Sequence, residues 1–175
     1  MRSCVPTLIL VVVTLALTTP TWGMNNYTVI SFWGDSSCSG SSGPLQKTYT
    51  LYPGACSSMP HECIPSGSNG VYESIGCEAA SLNPQQAAPG TAQSIMFSGG
   101  SCDSAADISE ATIWPANSCG PGITPGSASF KVSCNATEFL TLLYTQPGCG
   151  GTPYGGSSWK VGQCLSGSLF NSCSP

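Results

Sequence analysis

The chain has 175 residues with four Lys and Arg against eight Asp and Glu and one histidine, so only 7% of it is charged. Nucleic acid is gripped by clustered cations that displace counterions, and four dispersed ones do not make such a cluster. Eleven cysteines and 21 glycines point instead to a cross-linked, turn-rich protein.

Residues 1–23 read as a secretory leader. Arg2 supplies the positive charge, Leu8 to Leu17 an apolar core, Pro20 the break, and Thr21 and Gly23 the small residues before a cut. An apolar run of that length covers about 15 Å as a helix, half a hydrocarbon core, and is too short to span. The C-terminal "LSGSLFNSCSP" has no apolar tail for a lipid anchor and no retention tetrapeptide. The expectation is a soluble mature chain, 24–175, released outside the cell without membrane insertion. Once Arg2 leaves, Lys47, Lys131 and Lys160 remain as its only cations besides its amino terminus, and it contains no arginine.

The first strand follows at once. Ile30 and Phe32 lie two apart, on one face of an extended segment, and "GDSSC" then turns the chain at Cys38. "YTLYPGAC" gives a second strand that ends at Pro53 before Cys56, because proline cannot donate to a ladder. Cys63 falls in extra length, and "VYESIGC" gives a third strand to Cys77. "SLNPQQAAPGTAQ" (81–93) reads as an exposed linker.

The same phrases then recur. "IMFSGGSC" carries Ile95, Phe97 and Cys102; "SAADISEA" (104–111) reads as a loop rather than a helix, although Ser104 and Asp107 stand at capping-box spacing. "ATIWPANSC" carries Trp114, Pro115 and Cys119; "GPGITPGSAS" (120–129) is a loop, and "SFKVSC" ends at Cys134. The third set is "LLYTQPGC" with Leu142, Tyr144 and Cys149, "SSWKVGQC" with Trp159 and Cys164, and "SLFNSC" with Cys173. The reading is one all-β, disulfide-rich domain with a degenerate threefold internal repeat. The spacing of the units suits a trefoil-like barrel, with a β-sandwich as the alternative. Unequal periods argue against a solenoid.

Cys4 departs with the leader, which leaves an even set: Cys38, Cys56, Cys63, Cys77, Cys102, Cys119, Cys134, Cys149, Cys164 and Cys173. An even set in a secreted chain reads as five disulfides. A metal site is disfavoured, since no C-x-x-C occurs and His61 is the only imidazole. Local order suggests the pairs Cys38–Cys56, Cys102–Cys119, Cys149–Cys164, Cys63–Cys77 and Cys134–Cys173.

No catalytic constellation emerges. There is no G-x-S-x-G elbow, His61 reads as a loop residue, and Asp35, Glu62, Glu73, Glu78, Asp103, Asp107, Glu110 and Glu138 recur at no common repeat position. Phosphate loops and dinucleotide fingerprints are missing too, so no cofactor is expected. Trp114 and Trp159 hold matching positions beside cysteines and read as core. Trp33 follows Phe32 directly; with Phe32 inward it points outward and is the candidate binding residue. Asn26 in "NYT" and Asn135 in "NAT" are sequons for N-glycans.

The aromatic, the Ser/Gly run, the cysteine and the later glycine–cysteine strand ends together resemble small secreted cysteine-rich repeat proteins of amoeboid protists. The resemblance implies secretion and disulfides and brings no activity with it. The expected function is a non-enzymatic extracellular module for glycans or a cell-surface or wall polymer. The alternatives are a structural coat or matrix protein, or a secreted inhibitor or toxin.

Overall fold

The computed structural model describes residues 25–40, 43–52, 62–66, 70–122, 127–166 and 169–174. These residues are all-β apart from isolated 3-10 turns. The first phrases become β1 (Asn25–Trp33), β5 (Thr91–Phe97) and β9 (Glu138–Tyr144). The second phrases become β2 (Gln46–Leu51), β6 (Ile108–Pro115) and β10 (Gly155–Lys160). The third become β4 (Tyr72–Ala80), β8 (Ser129–Cys134) and β12 (Leu169–Ser174). Three short strands lie between them: β3 (Glu62–Pro65), β7 (Cys119–Pro121) and β11 (Cys164–Leu165).

The strands form two antiparallel sheets. The larger runs β11-β12-β5-β6-β2-β1-β4-β3 and the smaller β10-β9-β8-β7. Neither closes on itself among the described residues, so these strands make no trefoil-like barrel. Each first-phrase strand does stand between a second-phrase and a third-phrase strand: β1 between β2 and β4, β5 between β6 and β12, β9 between β10 and β8. β8 and β12 have changed places, each pairing beside the other unit's first strand.

The cross-links follow that exchange. Cys102 bonds Cys164, Cys119 bonds Cys149 and Cys134 bonds Cys173, with Cα separations of 5.6, 5.9 and 5.9 Å. Cys38 bonds Cys63 across 5.7 Å. Cys77 is disulfide-bonded as well, and its partner, like Cys56, lies outside the described residues. Of the pairs suggested by local order only Cys134–Cys173 forms. Cys102–Cys119 and Cys149–Cys164 are replaced because the pairing of β8 with β9 and of β12 with β5 brings their turns together. Cys38–Cys56 and Cys63–Cys77 are replaced because Cys63 of β3 lies against the turn after β1.

In β1 the buried residues are Tyr27, Val29 and Ser31, spaced by two as a strand with one covered face requires. Register carries the same face through Tyr49 on β2, Ala111 on β6 and Ile95 on β5. These side chains share one cluster with Phe97, Cys102 and Ile108, and Tyr27 meets Tyr49 edge-on at 5.9 Å. The connection from β4 to β5 is no free linker: Leu82, Pro84 and Ala87 on it are buried. The buried Gln93 amide pins it, donating at 2.7 Å to the Asn83 carbonyl and at 2.7 Å to the Ser172 hydroxyl. Segment 104–111 makes one 3-10 turn (Ala105–Asp107) without a Ser104 side-chain cap, then enters β6. Residues 123–126 of the second expected loop lie outside the described residues.

The opposite face of β5 and β6 meets the smaller sheet. Ala92 packs there with Phe130, Val132, Cys134 and Phe139, and Trp114, Trp159 and Cys173 press on that cluster. The two tryptophans are half-buried and pack against this core. β5 is thus covered on both faces around Ala92, although Met96 further along that face is exposed.

Candidate functional site: a polar cleft beside Trp33

The face that buries Tyr27 and Val29 continues along β1 to Ser31 and Trp33. Beyond Val29 it is no longer apolar. The register sets Ser31 opposite Lys47 and Ser74, Val29 opposite Gly76, and Tyr27 opposite Glu78. All of these but Tyr27 line a cleft of about 370 Å³, with the Cys38–Cys63 disulfide at its rim. Gly76 and two serines keep side chains off its floor, so the cavity follows directly from the sequence "SIG" alternating on β4.

Trp33 therefore shares the face of the buried residues, and Phe32 takes the other; the inward and outward assignments made from sequence are reversed. Both rings are half-buried. The Trp33 indole Nε1 donates to Ser74 Oγ at 2.9 Å, which fixes the ring against β4 and keeps its edge satisfied.

Lys47 Nζ meets Glu78 Oε1 at 2.9 Å, and Tyr49 Oη donates to Glu78 Oε2 at 3.3 Å. Both carboxylate oxygens are engaged, an arrangement that orients Glu78 rather than freeing it for proton transfer. Burial alone would lower the Lys47 pKa, but the hydrogen bond to Glu78 and the nearby charges outweigh it and the net shift is upward. Burial raises the Tyr49 phenol, and the Glu78 carboxylate adds to this against the opposing Lys47 charge. At the turn after β1, Asp35 accepts from the Ser37 hydroxyl and from the backbone N–H groups of Ser37 (3.0 Å) and Gly40 (3.1 Å). The Ser37 hydroxyl bond is the main reason its carboxyl sits below the usual value.

Raised pKa values mean that the fold prefers both groups protonated. That contribution is complete below the ordinary values of 10.0 for tyrosine and 10.5 for lysine, and it disappears as pH rises through the raised ones. The thermal midpoint should accordingly fall as pH rises above about 10, and fall less in Glu78→Gln, which removes the carboxylate. An equally steep decline in both proteins, followed by calorimetry, would contradict this coupling.

Sequence reasoning singled out Trp33 and missed Ser31, Lys47, Ser74 and Glu78 as its neighbours. The signal was present in spacing: Lys47 stands two before the buried Tyr49, and Glu78 two after Gly76 and four after Ser74. Of the other carboxylates only Glu62 reaches this cleft. His61 lies outside the described residues. Asn135 is exposed, and its side-chain oxygen accepts from Thr137 N, Thr137 Oγ1 and Glu138 N at 2.8, 3.0 and 2.8 Å. Asn26 sits half-buried on β1. Among the described residues no three His, Cys, Asp or Glu side chains gather to hold a metal ion. No protein-family model, curated protein or solved structure matches the chain.

Proposed function

We propose that the protein is a secreted, non-enzymatic module that binds glycans or an extracellular polymer in the cleft beside Trp33. The observation that carries the reading is the combination inside one cleft. An indole flanks a floor of glycine and serine, with an oriented Lys47–Glu78 pair beside it. A pyranose presents an apolar C–H face and a ring of hydroxyls. Its weakly positive hydrogens suit the negative face of an indole, while vicinal hydroxyls suit a carboxylate beside an ammonium. Sites of this kind need few, well-placed polar groups in a concave surface.

An oxidising compartment fits the described disulfides. No helix among the described residues is long and apolar enough to cross a membrane. Exposed Asn135 is available for a glycan of its own.

The test is retention of purified mature protein on insoluble wall polysaccharides and on a glycan array. Binding is expected, with a loss of about tenfold or more in Trp33→Ala, one stacked contact being worth on the order of 1.4 kcal/mol. Glu78→Gln should weaken binding without unfolding the protein. An array and polymer panel without any bound glycan, or a Trp33→Ala variant that binds as well as the parent, would remove the reading.

A further inference from the structure

The second and third units place their strands in the same order in two different sheets. β6-β5-β12-β11 in the larger corresponds to β10-β9-β8-β7 in the smaller. The correspondence reaches single residues. Ala92 pairs with Trp114 and Cys173, and Phe139 pairs with Trp159 and Cys134. In the larger sheet the far edge of β6 is occupied by β2, from Lys47 opposite Ile113 to Thr50 opposite Glu110. The corresponding far edge of β10 carries no strand among the described residues.

β10 is also unguarded where the other edges are not. β7 and β11 have three and two residues, and β3 has four with Pro65 and Glu62 among them. β10 runs for six residues, "GGSSWK", without proline or carboxylate. Short strands, prolines and charges are how sheet edges avoid pairing, and β10 has only Lys160. The smaller sheet ends at β10, whose Gly156 and Ser157 share a cavity with Gln46 of β2. Beyond it, on the β1-side face opposite to the Trp33 cleft, Ile64 and Ile75 are 40% and 38% exposed. A strand added to β10 would extend the smaller sheet over that face.

We propose that β10 is a pairing edge through which two copies of this chain associate, antiparallel about a two-fold axis at Ser157. The ladder favours this register. Val161 N donates to the Thr137 carbonyl at 3.0 Å, so by alternation Gly155, Ser157 and Trp159 direct their N–H groups to β9. Gly156, Ser158 and Lys160 direct theirs to the open edge. With Ser157 on the axis, Gly156 exchanges hydrogen bonds with Ser158 of the partner copy. Trp159 then faces the partner copy's Gly155, where the missing side chain leaves room for an indole. The two Lys160 ammoniums stand at opposite ends of the paired strands, so a second copy brings no like-charge contact. β10 offers no carboxylate to select a basic peptide instead. Two copies joined in this way carry two Trp33 clefts, an advantage on a repetitive polymer, but association itself needs no ligand.

Sedimentation of the purified secreted protein over a concentration series reads the association directly. The mass should double with concentration, while Ser158→Pro and Ser158→Lys stay monomeric. Proline removes an outward N–H and leaves the β9 ladder intact; lysine keeps the N–H and puts like charges beside the axis. Circular dichroism of each variant reports its fold. In the parent, exchange of the Gly156, Ser158 and Lys160 amides should slow as the dimer forms. A parent that stays monomeric, a dimer that survives in either folded variant, or exchange at those amides independent of concentration overturns the proposal.

Discussion

Full reduction should unfold this protein at ordinary temperature, with loss of the β signal in circular dichroism and of any cooperative thermal transition. The apolar clusters are small: one on a face of the larger sheet, one between the sheets. The turns and edges around them are tied covalently. The four described disulfides close loops of 25, 62, 30 and 39 residues. In the chain-entropy account each constrains the unfolded state by about 4 kcal/mol. Even with incomplete additivity, their sum matches the whole stability of an ordinary domain. The most telling single removal is Cys134→Ala with Cys173→Ala, since that bond joins β8 in one sheet to β12 in the other. A midpoint lower by about 10 °C is expected. A reduced protein that still melted cooperatively near the parent midpoint would show that packing alone suffices.

The strands were legible because their signals are local. Ile30 and Phe32, Ile95 and Phe97, Leu142 and Tyr144 mark β1, β5 and β9 by a spacing of two, and Pro115 ends β6 where a proline must. Which strand pairs with which was not legible, because pairing depends on where the chain returns after a turn. β8 runs beside β9 and β12 beside β5, so Cys102 and Cys119 meet cysteines of the following unit. No property of "SFKVSC" or "SLFNSC" records that choice. The same limit applied to Trp33. Alternation placed it opposite Phe32 correctly, but only the register with β2 and β4 decides which of the two faces is covered. The linker reading failed on composition: "SLNPQQAAPG" is polar on average, yet Leu82, Pro84 and Ala87 are enough to dock it.

Phe139→Ala should be the most damaging substitution that leaves every cysteine in place. Phe139 is 1% exposed between the sheets and meets Trp114 and Trp159 edge-on at 5.5 and 5.8 Å. Truncation costs about 4 kcal/mol in lost transfer and residual cavity, and each aromatic contact adds about 1 kcal/mol. A fall of about 10 °C or more in the midpoint is expected. The position has a counterpart. Ala92, wholly buried, faces the same gap from the larger sheet and has the same relation to Trp114 and Cys173 that Phe139 has to Trp159 and Cys134. One sheet contributes the ring and the other the space for it. Ala92→Phe alone should therefore overpack the gap, while Ala92→Phe combined with Phe139→Ala moves the ring across the interface and recovers part of both losses. A coupling of about 1 kcal/mol or more in the double-mutant cycle is the expected reading. Strict additivity of the two losses would mean that the gap is not shared in this way.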